Sequence, residues 1–405
     1  MRVLIAFDKF KDALTAPEAC EAAANALSQL HPGWSLDLCP LADGGEGFAA
    51  ILTRAAGGEI CSATVSGPLA CVLVSVEDEA RGGLVSVKFG LVCANQIPAA
   101  ARALLALPAL PADAVIAVIE LAQASGLALL PPEQRDPWQT TTLGTGQLIR
   151  LAAEELGAQA VVLGVGGSAT NDLGLGALAA LGLEFLTESG EHLLPPVPAR
   201  WPQLARISGS LQPSLPPLRI ACDVDNPLLG PRGAAAVFGP QKGLHADDLR
   251  RLEHSSARVA LMLCAHFHRP DALMDTPGAG AAGGTAFGLL CGAGGQLVPG
   301  SALVAAWLDL DARLAAADVV LTGEGCYDAS SLAGKGPGAI LARARALGKP
   351  AHVFAGSAEI SARTAGFGDP ALQRLHIITP AGTALPAALR DAATNLTRAV
   401  ATAFP

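Results

Sequence analysis

The stretch VVLGVGGSATNDLGLGAL (Val161–Leu178) decides how this chain is read. Apolar residues of strand character run up to Gly164. Gly166, Gly167, Ser168, Thr170, Asn171 and Asp172 follow, and a helix-like run closes the segment. Strand, glycine-rich polar loop and helix, in that order, make the β-to-α turn of a parallel α/β sheet. Glycines let backbone N–H groups crowd toward an oxyanion, and the following helix adds its positive end. Ser168, Thr170 and Asn171 are short donors that can join them. An ordinary tight turn, with Thr170 or Asn171 capping the helix, reads from the same residues. No Gly-Lys-Ser/Thr follows, so the segment is not a Walker A loop.

Outward from this loop, both ends of the chain alternate strand and helix. Val3–Phe7 reads as a strand. The run TAPEACEAAANALSQLHPG reads as a helix, with Thr15 as N-cap, Glu18 at the capping-box position and Pro32-Gly33 as its stop. Ser35–Leu41 is a second strand and Gly47–Gly58 a short helix. Near the other end, VAAWLDLDARLAAA predicts a helix, DVVLTGEG a strand running into a polar loop, and PGAILARARALGKP a helix. AHVFAGS and RLHIITPAG follow as strands, and LPAALRDAATNLTRAVATAF as the last helix. The middle differs. CSATVSGPLACVLVSVEDEARGGLVSV alternates like an antiparallel meander. Pro98–Asp113, rich in Ala, Leu and Pro, reads as an irregular insertion or linker. The arrangement that fits is a doubly wound, mostly parallel flavodoxin- or Rossmann-like α/β domain built from both termini (1–65 and 295–405). A second, mixed α/β domain (66–294) is inserted between them.

Composition supports buried sheets. Of 405 residues, 51% are hydrophobic and only 16% charged. The mean hydropathy of +0.41 invites a membrane reading. The longest uncharged stretch, Thr276–Leu308, is however broken repeatedly by glycine and proline and makes a poor spanning helix. Met1-Arg2 leads straight into a strand with no signal-peptide layout, which points to the cytoplasm. A net charge of −9 without a Lys/Arg cluster argues against a nucleic-acid partner. Nine scattered cysteines with no CxxC spacing read as reduced, mostly buried thiols rather than a zinc site.

In an open parallel sheet, ligands lie beyond the carboxyl ends of strands. Asp8, Lys9, Lys11 and Asp12 follow the first strand, and Asp43, Gly44, Gly45 and Glu46 the second. Asp223, Asp225 and Asn226 follow another, within CDVDNPLLGPRGAAAVFGPQKG, and Glu324 and Asp328 follow DVVLTGEG, with Lys335 further on. Carboxylates at so many strand ends of a low-charge chain suggest one site that handles an anion and a cation together. Asp223 and Asp225, one residue apart, suit Mg²⁺ with waters retained. Arg232 and Lys242 bring charge suited to phosphate or carboxylate oxygens. Gly278, Gly280, Gly283 and Gly284 form a second glycine-rich segment that a nucleotide can approach closely. Gly164, Gly166 and Ala169 also match G-x-G-x-x-A, with Glu184 near the position of a ribose-binding acid, so a nicotinamide-dependent oxidoreductase is a competing possibility.

Taken together, ADGGEG (Ala42–Gly47), TTLGTGQLI (Thr141–Ile149), GVGGSATND (Gly164–Asp172), the Cys222–Gly243 segment, PGAGAAGG (Pro277–Gly284) and TGEG (Thr322–Gly325) resemble the bacterial glycerate kinase family. They fall in that family's order over nearly the whole chain. The resemblance implies two α/β domains, one inserted in the other, with a site in the cleft between them. It implies ATP with Mg²⁺ as phosphoryl donor and a small hydroxy acid, D-glycerate, as acceptor, the 2-hydroxyl favoured over the 3-hydroxyl. On this reading Gly166, Gly167, Ser168, Thr170, Asn171, Gly278, Gly280, Gly283, Gly284 and Lys242 bind the nucleotide phosphates, and Asp223 and Asp225 the metal. Asp8, Gly44, Gly45, Glu46, Glu324, Asp328 and Lys335 face the acceptor. Lys11 neutralises charge, and Asp172 or Asp43 takes the hydroxyl proton. No nucleic-acid or membrane partner is implied, and a homodimer is left open. Two loops depart from the family pattern. Asp8-Lys9-Phe10-Lys11-Asp12-Ala13 stands where D-S-F-K-G-S is usual, and Cys326–Ser331 lacks the Arg and Gln of R-x-D-x-Q. A binding homologue with weakened catalysis is therefore the alternative.

Overall fold

A computed structural model describes residues 1–69, 83–107, 109–329, 331, 336–359, 367 and 372–405. The chain divides into two compact units, Met1–Asp43 with Val304–Pro405, and Gly44–Leu303.

The first unit is built on a five-stranded sheet, all of it parallel. Its strands are β1 (Arg2–Phe7), β2 (Ser35–Leu38), β11 (Val319–Tyr327), β12 (Ala351–Ala358) and β13 (Gln373–Ile377), in the order β13-β12-β11-β1-β2. Counted within the unit this is 2-1-3-4-5, the flavodoxin-like order, whose switch point lies between β1 and β11. Val3 to Phe7 are fully buried, as a strand covered by helices on both faces requires. The helix Ala16–Leu30 begins with the expected capping box, in which the Thr15 amide donates to Glu18 Oε2 at 2.8 Å and the Glu18 amide to Thr15 Oγ1 at 3.4 Å. Its apolar face (Ala19, Ala23, Leu27) shares a core with Leu396 and Val400 of the helix Ala392–Ala403.

The second unit carries a six-stranded sheet ordered β10-β9-β6-β5-β4-β3. These are β3 (Glu59–Ser66), β4 (Leu84–Cys93), β5 (Val115–Glu120), β6 (Ala160–Gly164), β9 (Leu218–Ala221) and β10 (Gln296–Val298). β5, β6, β9 and β10 are parallel; β4 and β3 are antiparallel additions. β7 (Glu184–Leu186) and β8 (Arg206–Ser208) form a separate small pair. The fold is thus α/β with mostly parallel sheets.

Several expectations need correcting. Residues 44–65 and 295–303 belong to the second unit, whose sheet pairs β3 with β4 and β10 with β9. The irregular segment contains a helix, Ala99–Leu105. The helix expected around Val304 is two, Gly300–Trp307 and Leu310–Ala316, separated where Asp309 takes a left-handed φ of 51°. Part of the expected meander, residues 70–82, lies outside the described residues. The described cysteines form no disulfide, but only Cys20, Cys39, Cys264 and Cys291 are buried, and Cys326 is exposed. Among the described residues no helix is long and apolar enough to cross a membrane.

Candidate active site

In the second unit the parallel strands end along one edge, and their loops gather there. The loop after β6 is held on one side by residues 125–127: the Leu127 amide donates to Gly167 O at 2.8 Å and the Ala169 amide to Ser125 O at 2.9 Å. Gly167 is exposed with φ 72°, a conformation an L side chain rarely adopts. The amides of Gly167 and Ser168 have no partner among the described residues and are available to an anion. Gly166 does not play that expected part, since its N–H is already given to Gly44 O at 3.0 Å.

Lys242 lies beneath the loop, only 2% exposed. Its Nζ donates to Ser168 Oγ at 2.8 Å and Thr170 O at 2.6 Å. Burial pushes the ammonium down to about 7, opposed by the charge of Asp172. Asp172 is fully buried as well. Its carboxylate accepts five hydrogen bonds, from the Thr142 amide (2.7 Å), Thr142 Oγ1 (2.8 Å), Thr141 Oγ1 (3.4 Å), and the Gly174 and Gly176 amides (3.1 and 3.2 Å). Burial raises its pKa while these bonds oppose the rise. A proton acceptor needs a lone pair facing the substrate. Asp172 spends both oxygens on its own scaffold, so the geometry makes it a brace rather than the expected base. Thr170 Oγ1 and Asn171 Oδ1, by contrast, are buried with no partner among the described residues.

The second glycine segment packs on this loop and on the loop after β9. The Gly280 amide donates to Asn226 O at 2.9 Å, and the Leu173 amide to Gly283 O at 3.1 Å. Ala282, Gly283 and Gly284 all have positive φ, and a Cβ on Gly283 would lie 2.0 Å from Thr170 O. After β9, Asp223 accepts from the Ser301 amide (2.9 Å) and hydroxyl (3.1 Å), fixing the start of the helix Gly300–Trp307. Asp225 is exposed, with Arg232 at 3.8 Å. Among the described residues no three His, Cys, Asp or Glu side chains form a ready-made metal cage. Two carboxylates, one of them open to solvent, suit Mg²⁺ that arrives already bound to phosphate oxygens.

In the first unit, Asp8 follows β1 and Glu324 lies near the end of β11, on the two strands that flank the switch point. Asp8 is pushed up to about 6, chiefly by burial, with Lys9 opposing and Asp43 adding to the rise. Glu324 is pushed up to about 7 by burial; a Ser331 hydrogen bond opposes this, and the charges of Asp8 and Asp328 add to it. Glu324 Oε1 is buried with no partner among the described residues. Asp8 is therefore within electrostatic reach of Asp43 and of Glu324, and Glu324 of Asp328. Lys11 is exposed, Glu46 likewise, and Gly44 and Gly45 are buried. Lys335 lies outside the described residues.

Sequence reasoning missed Glu120, the last residue of β5, which is 2% exposed. The strand-end rule applied to AVIAVIE would have found it. Thr142 and Ser301, which hold Asp172 and Asp223, carried no signal of their own.

A family model described as the glycerate kinase family matches residues 3–404. The chain belongs to the glycerate kinase family. Its relatives in that family include the glycerate kinase of Bacillus subtilis (strain 168), 38% identical over 98% of this chain and 95% of that one. The glycerate 2-kinase of Escherichia coli (strain K12) is 35% identical, covering 88% and 85%. A crystal structure from Salmonella typhimurium LT2, provisionally assigned as a glycerate kinase 2, aligns with TM-score 0.74 and 34% identity over 100% of this chain and 97% of that one. The oxidoreductase reading finds no support beside this family membership. Glu184 opens β7, in the separate two-stranded sheet, and not a strand beside β6 where a ribose-binding acid belongs.

Proposed function

We propose that the protein transfers the γ-phosphoryl group of ATP to a hydroxyl of D-glycerate, with the 2-hydroxyl favoured. The observation that carries this is the loop after β6. Its Gly167 and Ser168 amides are unpaired, its Thr170 hydroxyl is unspent, and a buried lysine and a five-bonded aspartate hold it rigid. Fixed donors aimed at phosphate oxygens are what phosphoryl transfer asks of a protein. Gly167, Ser168, Thr170 and Asn171 would hold the phosphates, with Gly278, Gly280, Gly283 and Gly284 shaping the wall beside them. Asp225, with Asp223, would take the magnesium. When bound, Mg-ATP supplies a phosphoryl group whose charge is already partly neutralised.

The acceptor belongs with Asp8, Asp43, Glu324 and Asp328. A carboxyl poised near neutrality both accepts a proton and, once protonated, donates to a hydroxyl. Glu324, with an unpartnered oxygen, is the preferred proton acceptor, and Asp43 the alternative; Lys11 and Lys335 would offset the carboxylate of glycerate.

The test is to incubate the protein with Mg-ATP and D-glycerate and identify the phosphoglycerate isomer by NMR. The proposal fails if no phosphoglycerate forms. Should Mg-ATP then still raise the unfolding midpoint without ADP release, the binding-only alternative takes its place. The departures at Lys9–Ala13 and Cys326–Ser331 favour that alternative.

A further inference from the structure

We infer that Glu120 is a positioning residue: its carboxylate ties the Gly44–Gly47 turn to the central sheet, and the turn in turn sets the place of the Gly164–Ser168 anion loop. This rests on the phosphoryl-transfer reading for its effect on turnover.

The helix Phe48–Ala55 starts at Gly47, whose φ of 88° leaves no place for the usual Ser, Thr or Asp cap. The missing acceptor comes from 73 residues away. Glu120 Oε2 accepts from the Gly47 amide at 3.1 Å and the Ala49 amide at 3.4 Å. A local cap would fix the turn only to its own helix, whereas this one fixes it to β5. Glu120 is the register partner of Gly164, so one rung of the sheet carries both the anchor of the turn and the first residue of the loop. The turn then meets the loop directly. Gly44 O accepts the Gly166 amide at 3.0 Å, and a Cβ on Gly166 would stand 2.6 Å from the Gly45 Cα. The circuit closes from Glu120 through Gly47, Gly44 and Gly166 back to Gly164, immediately before the Gly167 and Ser168 amides.

The residue is costly for a simple cap. Oε1 is buried and makes no hydrogen bond among the described residues, and burial pushes the carboxyl up to about 7. Backbone bonds to Gly47 and Ala49 and the nearby Gln123 side chain oppose that rise, and the charge of Glu46 adds to it.

Glu120→Gln and Glu120→Asp separate reach from charge. Glutamine keeps the acceptor at the same length; aspartate keeps the charge but falls one methylene short. With D-glycerate and Mg-ATP, Glu120→Gln should keep kcat within about threefold of wild type. Glu120→Asp should lose about tenfold or more in kcat with KM for glycerate little changed, because misplacement by a bond length is felt in the transition state. Hydrogen exchange gives a readout independent of substrate. The Gly166 amide and residues 44–49 should exchange faster in Glu120→Asp and at the wild-type rate in Glu120→Gln. Thr53→Ala removes the hydroxyl bond to Ala49 O in the same helix and controls for simple destabilisation. The inference is overturned if aspartate restores what glutamine loses, or if Thr53→Ala speeds exchange at Gly166 as much as Glu120→Asp does. A wild type that exchanges as described but never phosphorylates glycerate sinks the proposed function and leaves the tie intact.

Discussion

Lys242 and Asp172 are both buried beside one loop, and each spends its hydrogen bonds on the backbone and hydroxyls around it. Replacing Lys242 with Met keeps the apolar stem but strips Ser168 Oγ and Thr170 O of their donor. Leaving a buried acceptor without its donor typically costs about 1–3 kcal/mol. Lys242→Met should therefore lower the unfolding free energy by about that amount in urea titrations, and lower kcat with it. The sequence marked Lys242 as positively charged and near a phosphate site. It could not show on which side of the loop the ammonium lies, because that depends on how distant segments pack. Glu324 gives the pH prediction for turnover. A base raised to about 7 is inactive when protonated, so kcat/KM should rise with pH through about 7. Glu324→Gln should lose this limb along with most of its rate, and a limb that persists in Glu324→Gln would remove Glu324 from the role of proton acceptor.

Among elements, the segment before the helix core of Ala281–Gly292 tolerates little change. At Gly283 a methyl group would collide with Thr170 O, and the φ of 66° is itself unfavourable for alanine. Gly190 has φ 86° but open space around it. Gly190→Ala should cost only the strain, about 1 kcal/mol, with full activity. Gly283→Ala should cost several times more and reduce turnover, as read by thermal unfolding and steady-state kinetics. In β12 and β13, His352 Nδ1 and His376 Nε2 lie 3.0 Å apart, and His352 also packs against Phe404. Burial, His376 and Arg374 push His352 down to about 4, and burial and Arg374 lower His376. The unfolded chain takes up protons near 6.5 while the folded pair resists, so stability should fall as pH drops from about 6.5 toward 4. His352→Phe should flatten that slope in urea midpoints measured across the range. The strands themselves were legible, because continuous apolar runs such as Val3–Phe7 have one physical meaning. The unit boundary was not. The alternation in Glu59–Ser66 suits the edge of any sheet, and only its pairing with β4 assigns it. The short helix Ala99–Leu105 was hidden by the prolines around it.

For the whole molecule, the mostly parallel α/β architecture and the family were readable from ordered blocks spread along the chain, and the strand order of the first sheet was not. The role of each charged residue was not. Asp223, expected at a metal, also accepts from Ser301, and Asp172, expected as a base, accepts five bonds from its own surroundings. Hydrogen exchange with each ligand alone tests the division of labour. Mg-ATP should protect residues 164–172, 222–228 and 278–284, and D-glycerate should protect residues 8–12 and 324–328. The reverse pattern would exchange the two assignments.

Because β1 pairs with β11, Val3 waits for Val319 before its side of the sheet can close. At about 5–20 residues per second on the ribosome, roughly 300 intervening residues keep that apolar strand without its neighbour for tens of seconds. The inserted unit is complete well before then. A nascent chain of this kind exposes a sticky central strand at its very beginning, a natural place for chaperones to hold until the last hundred residues emerge.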